Sequence, residues 1–289
     1  MRSFLLLPCA VMCMSCCGCL SVSPPAVRFP DDYIVYQPAP YPQGNWKPEN
    51  LVYEDVNFEA ADGTKLNGWF CPAENPRAVV LFAHGNAGNV SHRIRRMKLF
   101  QGQLHVSTFY FDYRGYGRSE GLPSERGVLM DARAARKWLS ERTGVPEREI
   151  VMAGESLGGA VAIDLAAKDG AAGLVLESTF TSLPDVASSL FPYTPARYLL
   201  RNRFDSISKI GQYEGPLLVF HGDADKLIPI EQSRKLLAAA KGPKSMTTIP
   251  GEGHNWSPTP EYMDQLDRFF TALQAQHGDD VAVRIPPPN

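Results

Sequence analysis

The apolar run at 150–153 ends on Gly154-Glu155-Ser156-Leu157-Gly158, and no other stretch of the 289-residue chain restricts its fold so tightly. A strand that feeds directly into Gly-x-Ser-x-Gly implies a sharp turn into a helix, with the serine at the apex. Neighbouring backbone comes close at such a turn, so small residues are needed at Gly154 and Gly158. The turn lifts the Ser156 hydroxyl out of the sheet and sets the unpaired amides of a helix N-terminus beneath it. Taken alone the pentapeptide is weak, since ordinary Gly and Ser usage produces it by chance about one time in ten in a chain of this length. Its surroundings therefore decide.

Those surroundings alternate. A hairpin is expected first, with strands at 52–58 and 66–70 around the turn signal Asp62-Gly63. Buried-type strands then alternate with amphipathic helices. Strands are expected at 78–83, 106–111, 150–153, 174–176, 217–220 and 245–249, and helices at 90–101, 125–142, 156–167, 230–240 and 261–274. The helix from 125 carries Val128, Ala132, Ala135 and Leu139 on one face and is opened by Pro123-Ser124-Glu125. This pattern implies an α/β fold: a mostly parallel eight-stranded sheet with helices on both faces and the hairpin at one edge. In open sheets of this kind, ligands sit beyond the carboxyl ends of the strands.

Residues with chemistry fall at those ends. Ser156 follows its strand at once, and its hydroxyl needs a base that is itself oriented by a third group. His254 follows the strand at 245–249, and Asp223 and Asp225 follow the strand at 217–220. The turn His84-Gly85-Asn86-Ala87-Gly88 follows the strand at 78–83. Acyl transfer needs two amide N–H groups aimed at the developing oxyanion, and the backbone amides of Asn86 and Leu157 are assigned to that place.

With these residues in place, the chain resembles the α/β-hydrolase superfamily over roughly residues 52–275. The resemblance rests on the His84 turn, on Asp112-Tyr113-Arg114-Gly115-Tyr116-Gly117-x-Ser119, on Gly154-Glu155-Ser156-Leu157-Gly158-Gly159, on His221-Gly222-Asp223-Ala224-Asp225-x-x-Ile228-Pro229 and on Gly251-x-Gly253-His254-Asn255. It is most similar to a branch with a small lid that includes depalmitoylating domain proteins and their bacterial relatives. The chain order Ser, Asp, His is the one this fold uses, and the position before x-x-Ile-Pro favours Asp225 over Asp223. The resemblance implies a serine hydrolase of esters or thioesters with a Ser156–His254–Asp225 triad, no cofactor, a small or lipid-like acyl substrate and a monomeric domain at 51–276. A peptidase or an acyltransferase would use the same triad. A binding protein that had lost catalysis would be expected to lack the serine or the histidine, and both are present.

The segment 178–214 lies where this fold inserts a lid. Its aromatic and aliphatic residues, among them Phe180, Leu183, Val186, Leu190, Phe191, Tyr193, Tyr198 and Leu199, either pack as core or wall an acyl site. His84 is read as bracing its own turn, Asp112 and Arg114 as bracing the neighbouring loop, and Cys71 as a small apolar strand residue. Glu155 faces either the interior or the substrate.

The remaining cysteines, Cys9, Cys13, Cys16, Cys17 and Cys19, crowd the first twenty residues and cannot be a disulfide framework for the domain. Cys13-x-x-Cys16 has no second ligand pair, so no metal site is expected. Arg2, an apolar run over 4–14 and small residues behind it form a signal-like segment at 1–19, too short for a comfortable membrane span. It resembles a bacterial lipoprotein signal, with Cys19 behind Gly18 as the lipidated residue and Cys16 behind Ser15 as the second choice. Cys16 itself stands where such signals usually carry Leu. Export and membrane anchoring through the N-terminus are therefore expected, with a secreted or periplasmic protein as the alternative. A Pro- and Tyr-containing tether at 20–50 would lead into the domain, and 277–289 would form a tail. A net charge of −2 with the two signs interspersed gives no footprint for nucleic acid.

Overall fold

Val79, Leu81 and Ala83 belong to one buried cluster, and Val80 and Phe82, which alternate with them, belong to another. A strand apolar on both faces must be covered on both. The computed structural model describes residues 29–277; the signal-like segment with Cys19 and the tail from 278 lie outside them. The strands are β1 (Gln37–Pro38), β2 (Glu54–Glu59), β3 (Lys65–Cys71), β4 (Val79–Ala83), β5 (Ala87–Gly88), β6 (Ser107–Phe111), β7 (Val151–Glu155), β8 (Leu174–Glu177), β9 (Leu217–Gly222) and β10 (Lys244–Ile249). The helices are α1 (Asp32–Val35), α2 (Ile94–Gly102), α3 (Glu125–Thr143), α4 (Leu157–Asp169), α5 (Leu183–Leu190), α6 (Ala196–Leu199), α7 (Ile207–Ile210), α8 (Glu231–Ala239) and α9 (Pro260–His277).

Eight strands form the expected sheet, in the order β10-β9-β8-β7-β4-β6-β3-β2. Every pairing is parallel except those of β3 with β6 and with β2, so the hairpin makes the edge. Helices α3, α4 and α8 contribute Val128, Leu139, Val161, Leu165 and Leu236 to the cluster on one face. Helices α2 and α9 contribute Met97, Phe100, Tyr262, Leu266 and Phe270 to the other.

Local signals place the helix ends. Ser124 caps α3 by accepting from the Gly127 amide at 3.2 Å, and Gly144 ends it in the left-handed conformation. The helix expected at 90–101 is interrupted. A 3-10 turn at Val90–His92 is capped by Asn89, and α2 begins only after Arg93. The lid expected at 178–214 contains three short helices, α5, α6 and α7.

The tether expected at 20–50 is corrected at residues 31–43, which are fastened to the domain. Strand β1 pairs with β5, and the Asn89 side-chain amide donates to the carbonyls of Ala39 (2.9 Å) and Gln43 (2.8 Å). Asp31 accepts from the backbone amides of Arg201 (2.8 Å) and Asn202 (3.0 Å). The Asn202 side chain donates to Asp32 at 2.7 Å and accepts from the Tyr36 hydroxyl at 2.8 Å. Buried polar groups from three stretches of the chain are satisfied in these contacts, a bond pattern that leaves no periodicity in the sequence.

Candidate active site

Ser156 sits between β7 and α4 with φ 53° and ψ −116°, a left-handed position for a residue with a side chain. Such a conformation costs about 1–3 kcal/mol and persists only where surrounding contacts over-determine it. Here they do. The Ser156 amide donates to the Glu177 carbonyl at 2.8 Å, and the Thr179 hydroxyl donates to the Ser156 carbonyl at 2.8 Å. The glycines are required as the sequence implies: a Cβ on Gly154 would collide with the Gly158 carbonyl, and one on Gly158 with the Ala83 carbonyl.

The structure brings Ser156, His254 and Asp225 into one line. The Ser156 Oγ is 3.0 Å from His254 Nε2, and His254 Nδ1 is 2.7 Å from Asp225 Oδ2. With Nδ1 donating to the carboxylate, Nε2 is left to accept the serine proton. The other carboxylate oxygen, Oδ1, accepts from the amides of Leu227 (2.9 Å) and Ile228 (2.8 Å). Burial would raise the Asp225 pKa, but hydrogen bonds from His221, His254 and the Ile228 amide hold the carboxyl well below the usual carboxylate range. Asp223, the competing acid, instead accepts from the Gly251 amide at 2.7 Å and fixes the turn before His254.

Asn86 and Leu157 flank the serine. Neither amide N–H has an acceptor within the chain among the described residues, and both residues line the same cavity as Ser156. The Asn86 peptide is held from its other side: its carbonyl accepts from the Gln37 amide (3.0 Å) and the Tyr116 hydroxyl (2.7 Å). Its side chain also matters, because it donates to the Val35 carbonyl at 3.1 Å and so ties the N-terminal segment to the site.

That cavity measures about 220 Å³ and is walled by Phe180, Leu183, Val186, Leu190, Phe191 and Leu200 from the lid, with Ile34, Val35, Leu227 and Ile228 opposite. The lid residues therefore divide. Some form the wall, while Tyr193, Tyr198 and Leu199 face outward and are exposed. Among the described residues no charged side chain lines the cavity.

His84 is fully buried and its Nδ1 bonds the Gly85 carbonyl of its own turn at 2.7 Å. Asp112 accepts from the Val90 amide at 2.8 Å, and Arg114 is clamped between Asp131 and Asp62. These are the bracing roles read from the sequence. Cys71 is buried, and burial pushes its thiol up to about 12.

Two features went unnoticed in the sequence. His221, at the end of β9, donates from Nε2 to the Ile228 carbonyl at 2.8 Å, lies 3.3 Å from Asp225 Oδ2, and accepts the Ser233 hydroxyl at Nδ1 at 2.7 Å. Its place four residues before Asp225, across a turn, was the available signal. Beneath the elbow, Arg96 pairs with Glu177 and, at 3.4 Å, with Glu155, while Tyr262 donates to Glu177 at 2.8 Å. Burial raises the Glu177 carboxyl. It is the largest single influence on Glu155 too, but there Arg96, Arg93 and the neighbouring imidazoles together outweigh it and leave that carboxyl lowered. Glu155 is thus an interior ion-pair partner beside the nucleophile turn. Among the described residues no group of three or more His, Cys, Asp or Glu is arranged to hold a metal ion. No described helix is long and apolar enough to cross a membrane.

Known proteins resemble this chain in sequence and in fold. Residues 74–209 match the family described as serine aminopeptidase, S33, a span that includes Ser156 and stops before Asp225 and His254. An uncharacterized protein of Mycobacterium tuberculosis is 43% identical over 225 residues, covering 75% of this chain and 79% of that protein. The alpha/beta hydrolase domain-containing protein WAV2 of Arabidopsis thaliana is 35% identical over 214 residues, covering 68% of this chain and 70% of its own. The solved structure of the Pyrococcus furiosus esterase Pf2001 superposes with a TM-score of 0.67 at 20% identity, over 83% of this chain and 98% of that one. With a doubly covered sheet, a strained serine elbow and relatives of this similarity, the chain belongs to the α/β-hydrolase superfamily.

Proposed function

We propose that the protein is an exported serine hydrolase that cleaves a carboxylic ester or acyl thioester. The observation that carries the proposal is the unbroken chain from Ser156 Oγ to His254 to Asp225, at 3.0 and 2.7 Å, in a strained turn. Ser156 attacks the acyl carbon while His254 Nε2 takes its proton. The oxyanion that forms is received by the Asn86 and Leu157 amides, and losing one such donor costs on the order of a hundredfold or more in rate. As the bond to the leaving group breaks, His254 returns the proton to that group, and an acyl ester remains on Ser156. Water then attacks this ester with His254 again as base, releasing the carboxylic acid. Asp225 holds the imidazole in the tautomer that makes both steps possible. No cofactor is called for.

The uncharged cavity favours an acyl group over a peptide terminus. An aminopeptidase must hold a free ammonium, and among the described residues no carboxylate lines the 220 Å³ space. That volume lies below the roughly 300–1,000 Å³ of typical ligand pockets, which suits a short acyl group or the first part of a longer one. An acyltransferase would differ only in the acceptor of the second step. The N-terminal sequence supports export, with a lipid on Cys19 as the membrane anchor; mass spectrometry of the mature N-terminus checks it.

Turnover of p-nitrophenyl esters and acyl thioesters of graded chain length tests the proposal. Activity with a preference for one range of acyl length is expected. Failure of every acyl substrate to turn over would favour a non-catalytic envelope protein on the same fold.

A further inference from the structure

The outer surface of the lid is apolar where solvent would face it. Tyr193 is 99% exposed, Tyr198 79%, Leu199 72% and, across the cavity mouth, Ile34 72%. Phe191 and Leu227 are also exposed, and together with Ile34 they line the cavity that holds Ser156. An apolar rim at Ile34, Phe191 and Leu227 therefore leads from the surface to the nucleophile. Patches of this kind mark interaction surfaces.

Two observations select the occupant. Over 190–203 the chain carries Arg197, Arg201 and Arg203 and no Asp or Glu. Tyrosines and arginines interleaved with aliphatic side chains are the composition of a segment that settles at an anionic membrane interface. The second observation is where the N-terminus arrives. Phe29 lies beneath the Arg201 guanidinium at 3.4 Å, and Asp31 accepts from the amides of Arg201 and Asn202. The N-terminal segment thus reaches the domain at the lid. Only nine residues, 20–28, separate Cys19 from Phe29, and nine residues span at most roughly 30 Å.

We infer that the lid face, formed by Ile34, Phe191, Tyr193, Tyr198, Leu199 and Leu227, docks on an anionic lipid bilayer. Docked this way, the cavity mouth opens onto the membrane, and the substrate is an acyl group that enters from the lipid phase. The substrate part of the inference rests on the hydrolase reading above; the docking part stands without it.

The test uses the full chain with vesicles of phosphatidylethanolamine and phosphatidylglycerol that carry brominated acyl chains. Tryptophan is introduced in Leu199→Trp and, distant from the lid, in Lys137→Trp, and fluorescence is read as the difference from wild type. Quenching at 199 and none at 137 is expected. No quenching at 199, or equal quenching at both, overturns the docking. So does a concentration-dependent dimer that shields position 199 without vesicles, because a second copy is then the occupant. A Tyr193→Asp/Leu199→Asp double variant is expected to keep its turnover of a soluble butyrate ester and to lose at least tenfold against an acyl ester embedded in vesicles. Equal retention on both substrates overturns delivery from the membrane. Absence of any ester turnover in wild type defeats the hydrolase reading instead and leaves the quenching result to decide the docking.

Discussion

His221 Nε2 lies 3.3 Å from the same Asp225 oxygen that His254 contacts at 2.7 Å. Two imidazoles thus converge on one carboxylate, and only one of them reaches the serine. His221 is itself fixed at both nitrogens, by Ser233 and by the Ile228 carbonyl. It acts as a positioning residue that holds Asp225 charged and in line. His221→Ala is expected to lower kcat by roughly ten- to a hundredfold, the usual cost of removing an orienting neighbour, with KM nearly unchanged. Steady-state kinetics on a soluble ester check this; a change confined to KM would place His221 at the substrate instead.

Gly158 admits no side chain. A methyl there meets the Ala83 carbonyl and crowds the His84 carbonyl, so the β4 turn and the elbow cannot both keep their places. Gly158→Ala is expected to destabilise the fold by about 3 kcal/mol, the upper range for overpacking, and to abolish activity. Chemical denaturation and ester turnover of the purified variant measure the two effects.

Much of the fold and of the candidate site is legible in the sequence, for a physical reason. Strands apolar on both faces announce a covered parallel sheet, and chemistry in such sheets gathers where strands end. Ser156, Asp225, His254 and the Asn86 turn each follow a strand, so their convergence needed only the topology. What could not be read depends on contacts between distant segments. The two-residue pairing of β1 with β5 is too short for any pattern. The hub at Asn202 joins residues 31, 32, 36 and 125 through polar contacts. The Arg96–Glu177–Glu155 cluster puts charges where periodicity expects apolar groups. The break at Arg93 follows from the Asn89 cap, whose signal lay inside a segment that otherwise read as helix.

Asn202 also sets how firmly the N-terminal segment and the lid are joined. Asn202→Ala would leave the buried side chains of Asp31 and Asp32 without that partner. A loss of about 1–3 kcal/mol is expected, the cost of an unsatisfied buried polar group, with faster proteolysis between residues 29 and 38 and within the lid. Limited proteolysis followed by mass spectrometry locates the cuts.

Asp164, on α4, supplies a pH signature. Burial opposes its charge, but Lys168, Lys209 and Arg133, all within 2.9 Å, hold its carboxyl at about 2. A carboxylate with a depressed folded pKa stabilises above its unfolded value and loses that contribution as pH falls through the folded one. The shift corresponds to about 2 kcal/mol at neutral pH. The stability gap between wild type and Asp164→Asn is therefore expected to be about 2 kcal/mol at pH 7 and roughly half that at pH 3. Urea denaturation across this range checks it, and a gap that widened on acidification would contradict the assignment.

The most direct test of the central claim is covalent. A fluorophosphonate probe reacts with a serine only when a neighbouring base activates it. Wild type is expected to be labelled on the peptide containing Ser156, and Ser156→Ala to be unlabelled and inactive on esters. Asp225→Asn should label more slowly and lose about 10⁴ in turnover, the loss seen when a triad histidine is held in the wrong tautomer. Equal labelling of wild type and Ser156→Ala, or ester turnover that survives in Ser156→Ala, would contradict the assignment of Ser156 as the nucleophile.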